Sequence, residues 1–223
     1  MAQRDWYDWH DWHADYDDPG SGLSRRLSWV QDQIRAALDG APSGPIRAIS
    51  LCAGQGLDLI GVLAEHPRQA DVTARLVELD PRNTEVAARL VAEAGLRVVE
   101  IVTGDASLTS QYADLWPADL VLACGLFGNM TDAHVEATIG YCAQLCAENG
   151  TVIWTRARWA PDLVPQICAW FEERGFERAW LSAPNYTQCT GAHRRIAPPD
   201  PLDPAAVMFT FTNHNPTTGP SRS

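Results

Sequence analysis

The chain has 223 residues, 46% of them apolar and 20% charged, which suits one globular core with at most a small appended cap. Its formal net charge is −11, and its 17 basic residues are all arginines that form only a few close pairs, so nucleic acid is disfavoured as a partner. No run reaches the roughly eighteen apolar residues of a membrane span and no signal sequence opens the chain, so we expect a cytoplasmic protein without a membrane partner.

The first predicted unit is an N-terminal segment, which we place at residues 1–40. Its opening is crowded with rings, namely Trp6, Tyr7, Trp9, His10, Trp12, His13 and Tyr16. A turn at 17–20 then leads into a helix with apolar side chains every three or four residues. The rings fit three roles: a lid whose indoles attract a bound cation, a cap packed on a sheet edge, or a homodimer contact. In a lid, His10, His13 and Tyr16 are candidate proton-transfer residues.

Between residues 46 and 183, short apolar runs alternate with amphipathic runs, which predicts a parallel sheet with helices on both faces. We expect strands at 46–52, 72–78, 97–103, 118–124, 150–156 and 177–183. Helices are expected at 56–66, from 81 to near 95, at 132–147 and at 162–174. Five prolines between 184 and 204 exclude a crossover helix there, so residues 207–211 are predicted to return as an antiparallel strand. The main domain is then 41–212, followed by a flexible tail at 213–223.

The turn L-C-A-G-Q-G, with Gly54 and Gly56, joins the first strand to the first crossover helix. Glycines let the backbone approach a ligand closely, and the helix start offers unpaired N–H groups. Glu78 ends the next strand, where an acid can hold both hydroxyls of a ribose. Asp58 occupies the first helical turn, where it disfavours a dinucleotide diphosphate; it is either a cofactor ligand or an acid favoured by the helix dipole.

Four motifs carry a resemblance: L-C-A-G-Q-G, V-E-L-D-P, T-G-D-A at 103–106, and P-A-D-L-V-L-A-C-G-L-F-G-N at 117–129. In this order they resemble motifs I to IV of class I S-adenosylmethionine-dependent methyltransferases. The resemblance covers about residues 1–212 and is strongest to an actinobacterial group with a W-H-x-x-Y-D-D-P opening. It implies an α/β fold, with a Rossmann-like, mostly parallel seven-stranded sheet, an antiparallel last strand and an N-terminal helical lid. Cys52 stands at the first glycine position, and Ser50 where the superfamily commonly has an acid.

The resemblance also implies S-adenosyl-L-methionine as the cofactor. Glu78 would accept from the ribose, Asp105 from the adenine amino group, and Ala106 would donate its N–H to the ring. Arg26 could pair with the methionine carboxylate, although a solvated helix arginine is an equal alternative. The full set of expected cofactor contacts is Arg26, Cys52, Ala53, Gly54, Gly56, Asp58, Glu78, Leu79, Asp105, Ala106 and Gly125.

Asn129 is the last residue of the fourth motif, which follows the fourth predicted strand. In this superfamily the methyl acceptor lies at that place. Asn129 could bond the acceptor, or its loop could simply cap the helix that begins after Thr131. Catalytic candidates are therefore His13, Tyr16 and Asn129, with Tyr186 and His193 as weaker ones. The six cysteines lack a metal-site spacing and are expected to be buried free thiols.

We predict methyl transfer from S-adenosyl-L-methionine to a small-molecule acceptor. One alternative is intramolecular alkylation of the cofactor's own aminobutyrate arm. A nicotinamide-dependent oxidoreductase and a cofactor-binding protein without turnover are the others.

Overall fold

A computed structural model describes residue 18 and residues 20–212 of the chain. Five α-helices occur in that part, at Gly22–Gly40 (α1), Leu59–Leu63 (α2), Pro81–Glu93 (α3), Asp132–Leu145 (α4) and Val164–Glu173 (α5). The strands are Ile46–Leu51 (β1), Val72–Glu78 (β2), Val99–Thr103 (β3), Ala118–Ala123 (β4), Cys146–Ala157 (β5), Phe176–Leu181 (β6) and Gln188–Arg195 (β7). The helix predicted at 56–66 is thus shorter, and the strand predicted at 150–156 is longer.

The strands form one seven-stranded sheet in the order β3-β2-β1-β4-β5-β7-β6. Neighbouring strands from β3 to β5 are parallel, whereas β7 is antiparallel to both β5 and β6. This confirms the predicted fold class: a mostly parallel sheet, covered by helices, with an antiparallel last strand. The carboxyl ends of the parallel strands meet at one edge, where the predicted site residues were expected.

The position predicted for the antiparallel strand was wrong. Residues 207–211 form no strand, and Val207 makes only an isolated bridge with Leu108. The strand is β7, which lies inside the stretch that we expected to be a loop. It was missed because buried polar side chains (Thr190, His193 and Arg195) interrupt the apolar pattern by which strands are recognised.

Helix starts follow the sequence closely. The Asp80 carboxylate accepts from the backbone N–H of Arg82 at 2.9 Å, so Asp80 caps α3, which begins at the predicted residue 81. Thr131 caps α4 by accepting from the N–H of His134 at 3.3 Å. These local bonds satisfy N–H groups that the helix cannot satisfy itself, which explains why the sequence reveals them.

Two apolar clusters sandwich the sheet. One face is covered by α1 and α2, with Val30, Ile34 and Leu38 of α1 buried against β1, β2 and β4. The other is covered by α4, α5 and residues of the C-terminal segment such as Met208 and Phe209. All six cysteines are free thiols, of which Cys52 and Cys124 are only partly buried. Within the described residues no helix is long and apolar enough to cross a membrane, and no group of histidine, cysteine or acidic side chains could hold a metal ion.

His193 is a core residue rather than a site residue. It pairs with Val152 in the middle of β5, away from the carboxyl end of the strand at Ala157. The indole N–H of Trp154 donates to its Nδ1 at 3.0 Å, and its ring stacks on Phe171 with centroids 4.6 Å apart. Burial, with a contribution from the charge of Arg178, lowers the pKa of His193 to about 3. This location removes His193 from the acceptor-side candidates.

We expect His193→Gln to reduce the acid sensitivity of the fold. The pKa of His193 is about 3 when folded but near 6.5 when unfolded, so below about pH 6.5 only the unfolded chain takes up the proton. Its contribution to the free energy of unfolding is complete above pH 6.5 and decreases by about 2 kcal/mol on acidification to about pH 5. Urea unfolding of both proteins near pH 7.5 and 5 should show a smaller decrease for the variant. Equal decreases would contradict this role of His193.

Candidate functional site

The glycine turn after β1 is built on left-handed backbone conformations. Cys52, Gly54 and Gly56 have φ of 49°, 56° and 69°. The N–H of Gly56 donates to the carbonyl of Ala53 at 2.9 Å and closes the turn. A Cβ on Gly56 would lie 2.7 Å from methyl carbons of Ile60 and of Leu76 in β2. The turn is therefore packed tightly, and Gly56 is required by this packing as well as by its φ.

Glu78, at the end of β2, fastens this turn to the neighbouring strand. One carboxylate oxygen accepts from the N–H of Gly54 and the other from the N–H of Asp80, both at 2.9 Å. Burial raises the pKa of Glu78, while these two bonds to the ionised form oppose the rise. Each oxygen retains acceptor capacity beyond its backbone bond. Glu78 is thus half-buried, and the backbone holds its carboxylate at the carboxyl edge of the sheet. Leu79 follows it with a side chain that is half exposed.

The loop after β3 brings a second carboxylate to the same edge. Asp105 is exposed, and its side chain accepts from the N–H of Ser107 at 2.9 Å. Ala106 beside it is buried, and its carbonyl accepts from the Tyr112 hydroxyl at 3.0 Å. Tyr112 therefore supports the loop from within the core, leaving the Asp105 side chain directed outward.

The edge around the turn is electrostatically negative. Burial raises the pKa of the Cys52 thiol, and the charges of Glu78 and Asp105 raise it further, which places both carboxylates within electrostatic reach of Cys52. Among the described residues neither carboxylate has an ion-pair partner. Two unpaired carboxylates suit hydroxyl and amino donors or a cation, whereas they repel a diphosphate.

Asp58 and Arg26 form a neighbouring charged pair. Asp58 caps α2 by accepting from the N–H of Leu59 at 2.7 Å, which confirms its role at the helix start. Burial raises its pKa, and the nearby positive charge of Arg26 opposes that rise. Arg26 is only 9% exposed, so the alternative of a solvated helix arginine was wrong.

The loop after β4 holds Asn129 close to open space. Gly125 has a φ of 78°, and a Cβ placed on it would meet no atom within 4 Å. Its N–H donates to the Thr155 hydroxyl of β5 at 2.8 Å, and its carbonyl accepts from the Asn129 amide at 2.9 Å. Arg156 also donates to the carbonyl of Phe127 in this loop. The loop both precedes the Thr131 cap and presents Asn129 at the edge, so the two interpretations of Asn129 are compatible.

Sequence reasoning missed the C-terminal segment 206–212. The N–H of Met208 donates to the Ser107 carbonyl at 2.8 Å, and the N–H of Thr109 donates to the Ala206 carbonyl at 3.1 Å. The N–H of Thr212 then donates to the Asn129 carbonyl at 3.0 Å. The segment thereby connects the Asp105 loop to the Asn129 loop. Backbone–backbone bonds of this kind leave no residue-type signal in the sequence.

The structure therefore collects most of the predicted residues at one edge of the sheet. Those brought together are Cys52, Ala53, Gly54, Gly56, Asp58, Glu78, Leu79, Asp105, Ala106, Gly125 and Asn129, with Arg26 beside Asp58. Tyr186 lies in the loop before β7, against the ring of Trp29. His13 and Tyr16 lie outside the described residues.

Known proteins resemble this chain in family and in fold. The model of a family described as "Putative methyltransferase" matches residues 20–181. The solved magnesium protoporphyrin IX methyltransferase of Synechocystis PCC 6803, with bound SAM, is 16% identical with a TM-score of 0.62, covering 86% of this chain and 100% of that one. The Burkholderia thailandensis 1,6-didemethyltoxoflavin-N1-methyltransferase is 14% identical with a TM-score of 0.59, covering 85% and 87%.

A Bordetella parapertussis protein described as a possible exported protein is also similar. It is 17% identical with a TM-score of 0.64, covering 84% of this chain and 79% of that one. At such identities the solved structures establish a shared fold. A search of curated protein sequences finds no match.

We expect Gly56→Ala to destabilise the fold more than the matched substitution Gly95→Ala. Both glycines have left-handed φ, 69° and 67°, so each alanine carries a strain of about 1–2 kcal/mol. A Cβ on Gly95 meets nothing within 4 Å, whereas at Gly56 it overlaps the buried Ile60 and Leu76. Overpacking should therefore cost Gly56→Ala about 1–3 kcal/mol more in urea unfolding. Equal losses would show that the turn relaxes freely.

Proposed function

Because the chain belongs to the methyltransferase family whose model matches residues 20–181, we propose that it transfers a methyl group from S-adenosyl-L-methionine to a small-molecule acceptor. The observation that carries the proposal is the pair of carboxylates, Glu78 and Asp105, that flank the glycine turn without cationic partners in the described part of the chain. This donor set fits a cofactor with ribose hydroxyls, an adenine amino group and a positive sulfonium.

Each part of the cofactor has a proposed partner in this geometry. The free acceptor positions of Glu78 would take the ribose hydroxyls, and the outward Asp105 would take the adenine amino group. Arg26, held beside Asp58, would pair with the methionine carboxylate. The turn residues Cys52, Ala53, Gly54 and Gly56 would approach through their backbone, with Leu79, Ala106 and Gly125 at the rims of the site.

S-adenosyl-L-methionine supplies a methyl group on a positively charged sulfur, which is already activated for transfer. When bound, the cofactor would supply this methyl group to the acceptor atom and leave as adenosylhomocysteine, and a proton on the acceptor atom would pass to solvent. The chain's contribution is mainly alignment and exclusion of water. Gly125 leaves space for the two reactants to approach, and Asn129, fixed by its bond to the Gly125 carbonyl, would orient the acceptor.

A small acceptor is favoured over a nucleic acid. The net charge of −11 opposes a phosphate backbone. Two of the similar structures are named for small acceptors, magnesium protoporphyrin IX and 1,6-didemethyltoxoflavin. The proposal includes a cytoplasmic location. It also includes the resemblance to one actinobacterial group of methyltransferases, and a homodimer contact as one possible role of the N-terminal rings.

We also propose the domain division into an N-terminal lid unit, a main domain at 41–212 and a tail. In the described part of the lid unit, α1 packs its buried face against the sheet. The proposed closing element is accordingly the ring-rich part before α1, which contains His13 and Tyr16 in the W-H-x-x-Y-D-D-P motif.

We expect Glu78→Gln to weaken S-adenosyl-L-methionine binding by at least about tenfold. The amide keeps one acceptor oxygen but loses the charge and the second acceptor, and a charge-assisted bond contributes about 1.5–3 kcal/mol. The variant should also unfold more easily, since one of the N–H groups of Gly54 and Asp80 loses its acceptor. Calorimetric titration below the melting transition separates the two effects.

The matched control is Glu93→Gln, an exposed acid at the end of α3, which should leave the dissociation constant unchanged. NADH and NADPH titrations complete the experiment, and both should bind more weakly than S-adenosyl-L-methionine. An unaltered dissociation constant for Glu78→Gln, or tighter binding of a nicotinamide cofactor, would refute the assignment.

We expect removal of residues 1–18 to abolish turnover while the sheet folds and keeps part of its cofactor affinity, because a closing element contributes alignment rather than ribose contacts. Circular dichroism, cofactor titration and mass analysis of products formed with a small-molecule extract measure the three properties. Adenosylhomocysteine with a methylated product indicates methyl transfer, and methylthioadenosine indicates alkylation of the cofactor itself. Full activity after truncation would eliminate the lid together with His13 and Tyr16, and global unfolding would support a packing role.

A further inference from the structure

A cleft opens at the carboxyl edge of the sheet between α1 and the loop that precedes β7. Its volume is about 250 Å³, and its lining comprises Gly22, Arg25 and Trp29 of α1 together with residues 185–188. Trp29 packs edge-on against Tyr186 with ring centroids 5.0 Å apart. The loop is anchored to the end of β5, because the N–H of Arg158 donates to the Thr187 carbonyl at 2.7 Å. The cleft therefore has fixed aromatic walls, which lowers the entropic cost of binding a ring.

Arg25 gives this cleft a positive charge. Its guanidinium carbon lies 5.3 Å from the centroid of the Tyr186 ring. None of the described residues that line the cleft is an aspartate or glutamate. Among the residues that the structure describes, no carboxylate forms an ion pair with Arg25, which is exposed. In a chain with a net charge of −11, an exposed guanidinium over an aromatic ring is a specific recognition feature.

The cleft adjoins the candidate cofactor site. Arg25 and Arg26 are consecutive on α1, so they project about 100° apart around the helix. Arg26 is buried beside Asp58, whereas Arg25 faces Tyr186. The cleft and the proposed position of the methionine carboxylate therefore lie on neighbouring sides of the same turn of α1.

We propose that this cleft binds the methyl acceptor, and that the acceptor is a planar aromatic compound bearing a carboxylate or a similar anionic group. The rings of Trp29 and Tyr186 stack with the aromatic part, and Arg25 pairs with the anion. The volume of about 250 Å³ is just below the roughly 300–1,000 Å³ of small-molecule sites, so one or two fused rings fit and a porphyrin does not. The inference rests on the proposed function, because it assigns the acceptor of that reaction.

The test uses the full chain saturated with adenosylhomocysteine and titrated calorimetrically with 1-naphthoate. The neutral analogue 1-naphthylmethanol has the same ring system without the charge. We expect 1-naphthoate to bind at least about tenfold more tightly, as a charge-assisted contact predicts. Arg25→Gln should remove this preference, and Tyr186→Ala should weaken both ligands. The control Arg35→Gln changes an arginine farther along α1 that pairs with Asp32, and it should change neither affinity.

Equal affinities for the two probes, or an Arg25→Gln variant that keeps the preference, would overturn the inference. So would naphthoate binding that strengthens when residues 1–18 are removed, since the chain's own aromatic and acidic segment would then be the ligand of the cleft. Failure of the proposed function is seen separately, as the absence of adenosylhomocysteine binding in the titration that precedes the probes.

Discussion

The arrangement at the carboxyl edge depends on the Glu78 carboxylate, which accepts backbone N–H groups from both sides. Its bond to Gly54 fixes the turn after β1, and its bond to Asp80 fixes the chain where α3 begins. Parallel pairing of β1 with β2 brings these groups together, since the register places Leu51 opposite Val77. Burial raises the pKa of Glu78, and the two backbone bonds, one to each carboxylate oxygen, oppose that rise by stabilising the ionised form. Its remaining acceptor capacity is therefore available to a ligand.

The antiparallel insertion of β7 has a consequence for the site. A strand parallel to β5 would begin at the amino edge of the sheet, and the loop before it would lie away from the chemistry. Because β7 runs in the opposite direction, Gln188 pairs with Ala157 at the carboxyl end of β5. The loop with Tyr186 therefore returns to the edge that carries the glycine turn, where it faces α1. The antiparallel direction of β7 thus places this loop as the second wall of the cleft.

The sequence predicted what depends on neighbouring residues. The helix starts at 81 and 132, the glycine turn and the acid at the end of β2 are determined within a few residues, and all lie where expected. It failed where distant segments decide the outcome. Arg26 is buried because α1 packs near Asp58, thirty-odd positions further along the chain, and periodicity cannot show that contact. β7 was missed because its polar residues are stabilised by partners elsewhere, as His193 is by Trp154.

The C-terminal segment 206–212 shows how two loops at the carboxyl edge, the proposed cofactor loop with Asp105 and the proposed acceptor loop with Asn129, can be held at a fixed separation. The loop with Asp105 follows β3 and the loop with Asn129 follows β4, and β2 and β1 lie between these strands. The segment bonds to both loops through main-chain groups, at Ser107 and Thr109 on one side and at Asn129 on the other. Alignment of two reactants requires that such loops move together, since a misplacement of about 1 Å can cost a factor of a hundred in rate. Main-chain bonds tolerate many side chains, so this constraint can be met by sequences that share no motif in the segment.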